Sequence, residues 1–130
     1  MKDLLINDLT ERIIGLAIKV HRELGPGFLE SVYQAALAYE FENAGIAFEK
    51  EKPHAVIYKN VKLDVGFRCD FLVDDRVIVE LKAVSQIHPI EKQKLLNYLK
   101  ASNCSVGLLI NFNERLLKNG ISRVVNNFQE

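Results

Sequence analysis

Val77-Ile78-Val79-Glu80-Leu81-Lys82-Ala83-Val84 is the stretch on which the fold turns. Its β-branched residues and period-two pattern predict a strand, running from Arg76 to Val84. Successive side chains of a strand point to opposite faces. One face is then Val77, Val79, Leu81 and Ala83, apolar throughout. The other is Ile78, Glu80, Lys82 and Val84, with two charges between apolar neighbours. An ion placed in a mostly buried face costs several kcal/mol unless something compensates it. That cost makes Glu80 and Lys82 a candidate site.

Just upstream, Asp74-Asp75 predicts a tight turn, and Arg68 to Val73 predicts the preceding strand. Asp70 lies ten residues before Glu80. If the loop holds only Asp74 and Asp75, Val73 faces Arg76, and Asp70 falls on the face opposite Glu80. A three-residue loop, or one bulge, sets Asp70 beside Glu80 instead. Two adjacent carboxylates repel, and one pKa rises unless a cation intervenes. A hard divalent ion such as Mg²⁺ relieves that repulsion and prefers oxygen ligands, to which the Leu81 carbonyl could add. Lys82 points the same way, where it could orient a water or stabilise charge developing on phosphorus. A salt bridge from Lys82 to Glu80 or Asp70 accounts for the same residues without any chemistry.

Further out, helical spacing of Leu9, Ile13, Leu16, Ala17, Val20 and Leu24 predicts a helix over Asp8 to Leu24. Asp8 with Glu11 has capping-box spacing. Gly25-Pro26-Gly27 ends that helix, and a second follows over Leu29 to Asn43. Its inward candidates are Leu29, Val32, Tyr33, Ala36, Leu37 and Phe41, and Glu30 sits where the helix dipole favours a carboxylate. Phe48 to Glu51 and His54 to Tyr58 form an extended stretch interrupted by Pro53, with a turn at Lys59-Asn60. Val61 to Gly66 continues it, Gly66 marking a bulge or bend. A third helix spans Ile90 to Ser102, with Leu95, Leu96 and Leu99 inward. Ser105 to Phe112 is apolar enough to be a strand buried on both faces. Asn119-Gly120 predicts a hairpin turn into a last strand, Ile121 to Val125. A helix between strands gives a mixed sheet with helices on both faces.

The chain has 130 residues, 48% of them hydrophobic, enough for the core of one domain. Lys and Arg number 17 against 17 Asp and Glu, so there is no global attraction to nucleic acid or an anionic membrane. Contact with a polyanion then needs a local patch. Cys69 and Cys104 fit no ligand spacing and predict reduced thiols in a cytoplasmic protein. No signal-peptide layout and no membrane-length apolar run is present in the sequence.

Asp70…Glu80-Leu81-Lys82, on a hairpin after an acidic helix, resembles the active-site signature of the PD-(D/E)XK nuclease superfamily. More narrowly, Gly27-Phe28-Leu29-Glu30-Ser31-Val32-Tyr33 resembles the Gly-x-x-Glu-x-x-Tyr signature of the GxxExxY protein family, placed within that superfamily. Leu95 to Lys100 and Gly107 to Phe112 match too, so the resemblance covers about residues 8–125. It implies an α/β, restriction-endonuclease-like core, with Asp70 and Glu80 as metal carboxylates and Lys82 as the catalytic lysine. Glu30 would be a third group for Mg²⁺ or Mn²⁺. The implied activity is hydrolysis of phosphodiester bonds, in DNA rather than RNA. An inactive binding module for nucleic acid or a protein, on the same fold, is the alternative, and a homodimer fits the small size.

The chain departs from the resemblance at one place. Such families carry a Gln just before the Leu-Leu-x-Tyr-Leu segment. That position here is Lys94, with Gln93 one earlier. Adjacent helical residues lie about 100° apart, so only one can face the site. His88 is a further candidate phosphate contact. His21 is expected to be packed or capping, Cys69 to be core, and Tyr33 to pack with its hydroxyl tied down.

Overall fold

The computed structural model describes residues 4–128. Two helices come first, α1 (Ile6–Leu24) and α2 (Glu30–Asn43). Strands β1 (Phe48–His54), β2 (Ile57–Tyr58), β3 (Val61–Lys62), β4 (Phe67–Val73) and β5 (Val77–Lys82) follow. Then come α3 (Ile90–Ser102), β6 (Val106–Asn111), a 3-10 turn at Leu117–Gly120 and β7 (Ile121–Val125). The main sheet has the order β1-β4-β5-β6-β7. It is antiparallel except for β5 and β6, which run parallel on either side of the α3 crossover.

The sheet separates two cores. On one side α1 and α2 bury Leu9, Ile13, Tyr33, Leu37 and Phe41 against Phe71, Val79, Leu81 and Ile110. On the other, Leu95 and Leu99 of α3 pack with Cys69, Leu72, Ile78 and Leu109. This is the expected mixed sheet with helices on both faces. All six residues of β6 are buried, as its unbroken apolar run requires. Gly107 lets α3 approach: a Cβ there would stand 2.9 Å from Leu95 Cδ1.

Several local expectations give way. The helix α1 begins ahead of Asp8, with Leu5 at the N-cap and no side-chain cap, so the Asp8–Glu11 box does not form. Arg123 of β7 instead fastens this turn, donating to Asn7 and to the Thr10 hydroxyl. Leu29 is the extended N-cap residue of α2 and is 75% exposed, not inward. Pro53 does not interrupt β1. It pairs across from Arg68 on an edge strand, where a missing N–H costs nothing.

Lys59 and Asn60, both with positive φ, make the expected turn, but β2 and β3 leave the main sheet as a separate ribbon. The chain returns through Gly66, where a Cβ would fall 2.0 Å from the His54 carbonyl oxygen. Asn119-Gly120 is not a hairpin turn. Leu117 is buried against the α1 side of the core, and reaching it takes the 3-10 turn.

Candidate active site

The turn between β4 and β5 decides where Asp70 points. Asp74 and Asp75 both adopt left-handed φ (52° and 57°), and the Arg76 N–H donates to the Val73 carbonyl at 3.0 Å. Yet the strands pair Val73 with Val77, Leu72 with Ile78 and Phe71 with Val79. Arg76 is therefore an extra residue beside a tight two-residue turn, and three residues separate the paired ends. Its guanidinium is held by Asp74 Oδ2 (3.2 and 2.7 Å) and by the Leu4 carbonyl (2.6 Å). That odd count sets Asp70 opposite Glu80.

Beyond Phe71 and Val79, carboxylates stand in for the backbone ladder. The Asp70 N–H donates to Glu80 Oε1 (3.1 Å), and the Leu81 N–H donates to Asp70 Oδ2 (2.7 Å). The other edge of β4 is disturbed at the same level. Glu51, between the Lys50–Phe71 and Lys52–Cys69 pairs, has φ 53°. Strict alternation would group Cys69 with Phe71 and Val73. It packs instead with Leu72 and Ile78, so the face assigned to it by alternation is wrong while its place in the core holds. Burial, then the Glu80 charge, push its thiol up to about 12, which makes it inert as a nucleophile.

Glu80 lies between Ile78 and Leu109 of the α3-side core and is largely enclosed. Burial, and then the neighbouring Asp70 charge, push its carboxyl up to about 8. Lys82 does not bridge to Glu80 or Asp70, as the simple salt-bridge alternative required. Its ammonium lies 3.1 Å from Glu91 Oε1, at the first turn of α3. Lys94 reaches the same oxygen at 3.6 Å. Burial pulls the Lys82 ammonium down, but the Glu91 hydrogen bond and charge outweigh it and hold its pKa above the usual lysine value. Burial pushes Glu91 up, and the two lysines more than reverse this. Glu80, Lys82, Glu91, Lys94 and Tyr98 line one small hollow.

Glu30 stands in the first turn of α2. Burial and then the Asp70 charge raise its pKa, while Lys82 lowers it, so its carboxyl faces the same region. The loop that leads into α2 is tied by Tyr33, whose hydroxyl donates to the Gly25 carbonyl (2.5 Å) and accepts from the Phe28 N–H (3.1 Å). The Tyr33 ring stacks on Phe112 at 4.5 Å, as its expected packing role demands. Among the described residues, no group of three His, Cys, Asp or Glu side chains is gathered closely enough to hold a metal ion. The structure joins Asp70 to Glu80 and leaves Glu30 nearby.

Of the two helix candidates, Lys94 lines the hollow, whereas Gln93 is exposed and bonds Asn97 (3.0 Å). His88 accepts the Ile90 N–H at 3.1 Å and lines a different hollow with Ser85 and Lys92. His21 is buried, its Nε2 2.7 Å from the Glu114 carbonyl. Three contributors escaped the sequence. Glu91 is one. Gln34, four residues after Glu30 on the same helix face, donates to the Asp70 carbonyl at 3.4 Å. Asn111, 1% exposed, donates to the Val84 carbonyl and accepts its N–H, tying the ends of β5 and β6 together beyond Lys82. Only the Glu30–Gln34 spacing was a usable signal.

The sequence profile of the PD-(D/E)XK nuclease superfamily matches residues 7–124. The chain belongs to the PD-(D/E)XK nuclease superfamily. No curated protein and no solved structure matches it significantly. Nucleases of this superfamily typically use divalent metals. The donors present here suit one: Asp70 and Glu80 offer oxygens only, and the nearest ammonium, Lys82, is paired with Glu91 rather than with them. Burial and the neighbouring Asp70 charge favour a proton on Glu80, and a hard divalent cation would take that proton's place. Among the described residues, no helix is long and apolar enough to cross a membrane.

Proposed function

We propose that this PD-(D/E)XK domain is a divalent-metal-dependent nuclease of the GxxExxY type, hydrolysing phosphodiester bonds in DNA in preference to RNA. The observation that carries the reading is the Asp70–Glu80 pair, set face to face by an odd turn and locked by reciprocal side-chain-to-backbone bonds. Asp70 and Glu80 would hold Mg²⁺ or Mn²⁺, with Glu30 closing on it from α2. The ion would supply charge neutralisation and a water activated at neutral pH. Lys82, lying beside the pair, orients the attacking water and stabilises the charge that develops on the phosphoryl oxygens. Glu91 keeps the Lys82 side chain extended along the hollow. Lys94, on the rim, contacts the phosphate.

The test is a cleavage assay over single- and double-stranded DNA and RNA with Mn²⁺ or Mg²⁺, alongside Asp70→Ala. Metal-dependent cleavage that the variant lacks supports the reading. No cleavage, or cleavage unchanged in the variant, contradicts it. A second reading, a catalytically inactive binding module, draws on the engagement of Lys82 with Glu91 rather than with the carboxylate pair. It predicts nucleic-acid binding that neither EDTA nor Glu80→Ala alters.

A further inference from the structure

The chain has no net charge, yet its cations are unevenly placed. A hollow of about 500 Å³ lies between the end of α1 and the 3-10 turn. Arg22, His21, Arg115 and Lys118 line it, over an apolar floor that includes Ile18 and Leu117, and no Asp or Glu does. Arg22, Arg115 and Lys118 are exposed, and none makes an ion pair among the described residues. Uncompensated cations repel one another, so gathering three around one concavity works against stability. An anionic occupant reverses that sign.

The hollow is also connected to the carboxylate site through the backbone. The Phe112 N–H donates to the Lys82 carbonyl at 2.8 Å, and Arg115 follows three residues later. Three residues span at most about 10 Å, the axial rise of roughly three phosphates of one duplex strand at about 3.4 Å each. On the other flank, Gly25, which lines the hollow, accepts the hydroxyl of Tyr33, three residues after Glu30 on α2. The hollow is thus tied to the carboxylate site from two sides of the chain, through Phe112 and through Tyr33. We propose that this hollow, with Arg22, Arg115 and Lys118, seats the phosphate backbone of the nucleic acid beside the phosphodiester held at Asp70, Glu80 and Lys82. The inference rests on the nuclease reading for its ligand, but its test does not depend on cleavage.

The full chain is titrated, in EDTA, against a short fluorescein-labelled DNA duplex by anisotropy over a range of salt. Each phosphate contact contributes a slope of about 0.9 in log K against log salt. Arg22→Gln/Arg115→Gln/Lys118→Gln is expected to lower the slope by about 2 to 3 and to weaken binding at low salt by roughly 10-fold or more. Lys50→Gln/Lys100→Gln, at exposed sites elsewhere, serves as control and should change little. Circular dichroism confirms that each variant is folded. An unchanged slope in the triple variant, or an equal loss in the control, overturns the proposal. So does competition by polyglutamate as strong as by DNA, which would make the occupant an acidic polypeptide. Binding lost in the triple variant without any metal-dependent cleavage by the parent chain refutes the nuclease reading alone. Cleavage with an unaltered slope refutes this seat alone.

Discussion

Glu80 is a carboxyl in a setting that favours its protonated form. Its folded pKa, raised to about 8, lies above the ordinary value of 4.5 that the unfolded chain would show. A group raised in this way contributes its stabilisation fully below the unfolded pKa and loses it as pH climbs through the folded one. Metal-free protein is thus expected to lose stability between about pH 4.5 and 8, on the order of a few kcal/mol. Glu80→Gln, which cannot ionise, should remove that loss, and denaturant unfolding in EDTA at several pH values reads it. Parallel pH profiles for the two proteins would contradict the assignment. Glu91 makes a different prediction. Because it acts through Lys82, Glu91→Gln should lower kcat by roughly 10- to 100-fold while leaving Mn²⁺ affinity nearly unchanged. A loss of Mn²⁺ binding would instead make Glu91 a ligand.

The β4–β5 hairpin is the element on which the site depends. Deleting Arg76 leaves Asp74 and Asp75 as a plain two-residue turn and shifts the register by one. Asp70 then moves to the opposite face from Glu80. The deletion is expected to fold less stably and to abolish Mn²⁺ binding. Retained binding would mean that the pair is not held by register. The elements were legible to different degrees, for physical reasons. The bounds of α3 were found residue for residue, because its leucine spacing and its Gly-free, Pro-bounded length point one way, although Leu96, expected inward, is only half-buried and joins neither core. The alternation along β5 exposed Glu80 and Lys82, because two charges on an apolar face contradict a purely structural strand. The place of the β4–β5 turn was legible and its length was not. Nothing in Val-Asp-Asp-Arg says that both aspartates are left-handed and that Arg76 stands outside the pairing. Glu91 was hidden for another reason: its partner Lys82 is nine residues away in sequence and on a different element. The Asn119-Gly120 turn signal lost to the burial of Leu117, a tertiary gain larger than a local preference.

Across the whole molecule, the sheet separates two tasks. The face under α1 and α2 carries the larger core, including Phe41, Phe71 and Phe112. The face under α3 carries a smaller core that opens onto the hollow of Glu80, Lys82 and Glu91. Close packing of α3 on β6 keeps those side chains in place, and Gly107 permits it. Gly107→Val should cost about 1–3 kcal/mol through overpacking against Leu95, read as a lower denaturation midpoint with an unchanged slope. The Asp70–Glu80 pair lies where the β4–β5 pairing ends, with Glu80 in the α3-side hollow, and its two close carboxyls are what a bound cation would settle. The most direct measurement is therefore a calorimetric titration of the intact chain with Mn²⁺, run beside Asp70→Asn and Glu80→Gln. One saturable site is expected in the parent chain, lost in both variants although both remain folded. No binding by the parent chain, or binding that survives either substitution, would contradict it.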